Sequence, residues 1–106
     1  MDKIAAFNEI LAQDPDNVLA RYGLALELSQ TGHEDDAQAE FDKLLARHPD
    51  YVPAYQMAGQ MLLRLGNHAA ARDYLAKGLD AARRTGNSHA QNELGALLEE
   101  ASQAAE

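Results

Sequence analysis

Apolar residues recur every three or four positions along nearly the whole chain, and no segment alternates with the period of two that a strand needs. This pattern predicts helices throughout. The first runs from about Asp2 to Gln13, with Ile4, Phe7, Ile10 and Leu11 on one face. Pro15 stops it, because proline restricts the residue before it and donates no hydrogen bond. Asp16 or Asn17 is placed to cap a second helix striped by Ala20, Leu24, Ala25 and Leu28, which Gly32 ends. A third begins near Glu34, where Glu34, Asp35 and Asp36 suit the positive end of the helix dipole. Its stripe is Ala37, Phe41, Leu44 and Leu45, and Pro49 closes it. A fourth starts near Asp50 and uses Ala54, Tyr55, Ala58, Leu62 and Leu65 before Gly66. Asn67 is placed to cap the fifth, striped by Ala71, Tyr74, Leu75, Gly78 and Leu79. With no proline to stop it, the fifth helix is expected to continue to about Arg84, where Thr85-Gly86-Asn87 breaks it. Ser88 then opens the sixth, with Gln91 spaced to complete a capping box. Ala90, Leu94, Leu97, Leu98 and Ala101 share one face, against Glu93, Glu99, Glu100 and Gln103 on the rest.

A second regularity overlies the first. Gly32 and Gly66, Ala37 and Ala71, Leu28 and Leu62, and Pro15 and Pro49 are all 34 residues apart. A fixed period of this length marks stacked supersecondary units sharing one extended core. It divides the chain into a half repeat (1–17), two whole repeats (18–51 and 52–85) and a closing half repeat (86–106), all within a single domain. The last helix, apolar on one side only, suits the exposed end of such a stack.

The residues at these positions resemble the tetratricopeptide repeat family. The first whole repeat reads Leu24-Ala25, Leu28, Gly32, Ala37, Phe41, Leu44 and Pro49. The second reads Tyr55, Ala58-Gly59, Leu62, Gly66, Ala71, Leu75 and Gly78. Three departures stand out, the first being that the join between the fifth and sixth helices is two residues longer than the period, Leu24 to Ala58 spanning 34 but Ala58 to Leu94 spanning 36. Arg21 occupies a place where the family usually has a bulky apolar residue, and Arg83 replaces the second repeat's proline. The resemblance implies an all-α, right-handed superhelix of six antiparallel helices, in which the first helix of each repeat lines a concave groove. It implies a protein–protein interaction module holding a peptide or partner helix there. The groove positions would be Tyr22, Leu26, Gln56, Gln60, Leu63, Arg64 and Asn92, with Glu99 beyond. Side-chain amides both donate and accept, so they can pair with a peptide backbone. The plainer reading of these residues is packing for Tyr22 and Leu26 and simple solvation for the glutamines. The Lys/Asn/Arg clamp by which some family members grip a terminal carboxylate is missing, since its places hold Tyr22, Leu26, Met57, Asn92 and Ala96.

Composition narrows the alternatives. The 106 residues carry a net charge of −8, which opposes binding to nucleic acid or anionic membrane. No stretch suits a membrane span and no basic, apolar leader opens the chain, so a cytoplasmic protein is expected. There is no cysteine, and His33, His48, His68 and His89 lack the i, i+3 or i+4 spacing of paired ligands on one helix, so no metal or other cofactor is expected. Ser29, Ser88 and Ser102 have no base and oxyanion donor placed beside them by any motif, so catalysis is not expected either. A monomeric peptide-binding adaptor is the leading expectation. The alternative is a structural element that self-associates or docks to one fixed partner through its open helical end.

Overall fold

The computed structural model describes residues 2–104, and among these every regular element is a helix. They are α1 (Lys3–Gln13), α2 (Val18–Gln30), α3 (Glu34–Arg47), α4 (Val52–Arg64), α5 (His68–Arg84) and α6 (Ser88–Ala104). The intervening turns fall at Pro15, Gly32, Pro49, Gly66 and Gly86, as the pattern predicts. Gly32 and Gly66 close equivalent turns at φ 83° and 81°, a left-handed conformation that a side chain would strain.

Most helix starts are set by short polar side chains. Asp2 accepts from the amide of Ile4, Asn17 from Ala20 and Asn67 from Ala70. Two starts differ from the sequence reading. α4 begins at Val52 rather than near Asp50, with Tyr51 at its cap position and Pro53 in its first turn, where a missing N–H costs nothing. α6 is capped by Asn87, whose side chain accepts from the amide of Ala90 at 3.0 Å, and Ser88 is already helical. The expected Ser88–Gln91 capping box is therefore replaced by an Asn cap, and the Gln91 amide reaches the Ala82 carbonyl instead.

The chain forms two compact units, Met1–Arg47 and His48–Glu106. In the first, α2 packs against both α1 and α3. Leu11, Ala20 and Leu24 form one buried cluster, with Ile4, Phe7 and Leu28 packed on it, while Ala37, Phe41 and Leu44 are buried along α3. In the second, α5 packs against α4 and α6, and α4 also touches α6 directly. Ala58, Met61, Leu75, Ala81 and Leu94 are essentially inaccessible there. The three-residue extension of α5 beyond the length of α3, residues 82–84, thus adds Ala82 to the core. Ile10 and Leu65, assigned to apolar stripes, are instead 44% and 49% exposed; Leu65 sits past the last helical residue as a C-cap.

Both units solve one local problem in the same way with different residues. The carbonyl of Pro15 accepts from Arg21 Nη2 at 2.8 Å. The carbonyl of Pro49 accepts from the hydroxyl of Tyr55 at 2.7 Å. Arg21 and Tyr55 are equivalent in the repeat, so the unexpected arginine retains a structural task. It also pairs with Glu40 at 2.9 Å, the two side chains being 17% and 14% exposed. At each proline turn the following aspartate holds an arginine from the end of a helix: Asp16 with Arg47 at 3.0 Å, and Asp50 with Arg84 at 2.7 Å.

Candidate functional site

Residues four apart on a helix lie one above the other, so Gln56, Gln60 and Arg64 form one stripe along α4. Gln56, Gln60 and Leu63 are half-buried, and Arg64 at the helix end is exposed. The Gln56 side-chain amide donates to Glu93 Oε2 of α6 at 2.8 Å. The other oxygen of Glu93 lies 2.7 Å from His89 Nε2, one turn earlier on α6. This brings an amide, a carboxylate and an imidazole together across the α4–α6 seam. Asn92, named from the sequence, is exposed beside them on α6. The sequence places neither Glu93 nor His89 in the groove; their i, i+4 spacing on one helix is the signal it does carry for the pair. Tyr22 and Leu26 are half-buried on α2 of the other unit. Glu99 is exposed on α6.

Chemically, the α4–α6 patch offers donors from Gln56, Gln60 and Asn92 and acceptors from the same amides and Glu93. Leu63 adds apolar surface. Such a set can satisfy the alternating N–H and C=O groups of a peptide but provides no nucleophile with an adjacent base. The serines are no better placed: Ser29 is buried at 8% exposure, and Ser88 and Ser102 are exposed. Among the described residues no three His, Cys, Asp or Glu side chains gather closely enough to hold a metal ion. No helix there is long and apolar enough to cross a membrane.

Two groups at the Pro49 turn have shifted titrations. Burial pushes the Tyr55 phenol above its ordinary value; the charge of Arg84 pulls it back and that of Asp50 adds to the rise. The hydrogen bond to Asp50 in turn raises Arg84. A neutral phenol held against a backbone carbonyl is a packing device, since a general base or nucleophile would need the opposite shift.

Known proteins share this fold. A model of the tetratricopeptide repeat family matches residues 4–61, and a second tetratricopeptide repeat model matches residues 52–85. A TPR repeat-containing protein of Pseudomonas aeruginosa is 26% identical over 95 residues, spanning 90% of each chain. The solution structure of a tetratricopeptide repeat domain protein from Salinibacter ruber superposes with a TM-score of 0.76 at 31% identity, over 84% of this chain and 90% of that one. A protein from Bordetella parapertussis, also solved in solution, gives a TM-score of 0.81 at 27% identity, over 97% and 90% of the two chains.

Proposed function

The chain belongs to the tetratricopeptide repeat family, and from that premise we propose that it is a non-catalytic protein–protein interaction module that binds a peptide segment against the α4–α6 face. The family's fold suggests an interaction module; the residues on the face suggest the mode. The observation that carries the reading is the Gln56–Glu93 hydrogen bond at 2.8 Å, which joins the half-buried amide of Gln56 on α4 to an exposed carboxylate of α6. Gln60, Leu63, Arg64 and Asn92, all on α4 and α6, extend that surface. An extended peptide backbone is the ligand whose donors and acceptors such amides match. Binding through the uncharged amides of Gln56, Gln60 and Asn92 has a modest salt dependence, to which the Glu93 carboxylate beside Gln56 contributes.

The test uses a peptide selected by display against the intact chain, titrated calorimetrically. Gln56→Ala combined with Gln60→Ala removes two amide partners. Each lost hydrogen bond is worth about 0.5–1.5 kcal/mol, so affinity falls by roughly fivefold to a hundredfold while the melting temperature barely moves. Unchanged affinity in the double variant would refute the assignment.

A further inference from the structure

The first unit contains a cleft that the peptide-binding reading does not use. It runs between α1 and α3 over α2, with a volume of about 340 Å³. Ile4, Leu24 and Leu28 form its floor, and Asp36, Glu40 and Lys43 stand along α3 at its edge. Leu24 is buried, but Ile4 and Leu28 are only half-buried, so their apolar surface is unfinished. From Asp36 to Lys43 the edge covers two helical turns, about 10 Å of axis at 1.5 Å per residue. That length suits one side of a short helix seating two apolar residues a turn apart.

Charge says which helix. Residues 2–47 hold ten acidic and four basic side chains, a net −6 of the chain's −8. Of the three edge charges, Glu40 is already held by Arg21 at 2.9 Å and by Lys43 at 3.5 Å. Asp36 is exposed beside Asp35 in the acidic first turn of α3. A cationic visitor therefore meets an attractive field over the unit and Asp36 at one end of the cleft, opposed by Lys43 at the other.

We propose that this cleft is a second docking site, taking a short cationic amphipathic helix of a partner protein, with its apolar side on Ile4, Leu24 and Leu28 and a Lys or Arg beside Asp36. It is independent of the α4–α6 face.

The probe is a capped Leu/Lys peptide of about 18 residues, long enough for marginal helicity, with its leucines on one face; a Leu/Glu version of the same pattern is the control. Binding to the intact chain is followed by amide shift mapping. Shifts centre on Ile4, Leu28, Ala39 and Lys43. Asp36→Lys weakens binding roughly threefold to tenfold, and Lys43→Ala tightens it about twofold to threefold, as expected for losing or relieving one exposed charge contact. Both substitutions lie on exposed α3 positions, and circular dichroism checks that the helices persist. The glutamate peptide binds at least about tenfold more weakly. Shifts over α4 and α6, equal affinity for both peptides, indifference to Asp36→Lys and Lys43→Ala, or no binding of the lysine peptide would each overturn the proposal. So would a dimer of the free chain that Ala39→Arg dissociates, because a second copy would then own the cleft.

Discussion

A single hydroxyl and a single guanidinium do equivalent work at the two proline turns, and only side-chain reach explains why tyrosine and arginine are interchangeable there. Tyr55 is 6% exposed and donates to Pro49 at 2.7 Å, whereas Arg21 donates to Pro15 at 2.8 Å. Tyr55→Phe keeps the ring and loses the bond, so denaturant unfolding should show a loss of about 0.5–1.5 kcal/mol. The same phenol gives a pH signature. In the folded state it ionises above the ordinary 10.0. The fold therefore favours the neutral form, a contribution fully present below pH 10 and lost as pH rises through the folded value. An ultraviolet titration should find the Tyr55 phenol ionising late, identified as the signal lost in Tyr55→Phe, with its delay abolished by denaturant. Two helical glycines make opposite predictions. A Cβ at Gly78 would lie 2.6 Å from Tyr55 Cβ, an atom too close to its backbone to yield, while a Cβ at Gly95 meets nothing within 4 Å. Gly78→Ala should destabilise by roughly 1–3 kcal/mol despite its better helix propensity, and Gly95→Ala should stabilise by about 0.5–1 kcal/mol. Thermal melts of the two variants should shift in opposite directions. Arg21 could be flagged from the sequence as out of pattern, but its partners could not be named, because a side chain reaching across a turn leaves no trace in periodicity.

At the scale of the element, proline, glycine and the apolar stripe were enough to place every turn and the extended end of α5 at Arg84. Starts were harder where two polar residues competed. Asn87 and Ser88 are both good caps, and the choice went to Asn87, whose side chain accepts from Ala90 at 3.0 Å. Asn87→Ala should therefore cost about 1 kcal/mol in a chemical melt, and Ser88→Ala should cost little. Ile10 and Leu65 illustrate the other limit: a position on the correct face stays exposed when no neighbour covers it, and periodicity cannot see the neighbour. The repeat offset did pick out equivalent core positions. Ala37 and Ala71, paired by that offset, are fully buried in their separate units. Ala37→Leu should lose roughly 1–3 kcal/mol through overpacking, measurable as an earlier thermal midpoint. A midpoint at or above that of the parent chain would mean that α3 does not pack as tightly as its burial implies.

For the whole molecule, the 34-residue period marked a stacked repeat, the three-or-four-residue apolar spacing gave the all-α class, and the residues at the repeat positions carried the family resemblance that implied an interaction role. The candidate site was legible only in outline. Gln56 and Gln60 could be placed on one stripe, yet Glu93, which bonds to Gln56, was separated from it by a whole helix and a tertiary contact. Function on a repeat scaffold lies in such surface details, which vary without disturbing the period. The decisive measurement is amide shift mapping of the intact chain against a display-selected peptide. Perturbations concentrated on Gln56, Gln60, Asn92 and Glu93 are the predicted result, reduced together by the Gln56→Ala and Gln60→Ala pair. Perturbations confined to α3 and α5, with α4 and α6 silent, would contradict the assignment of peptide binding to the α4–α6 face.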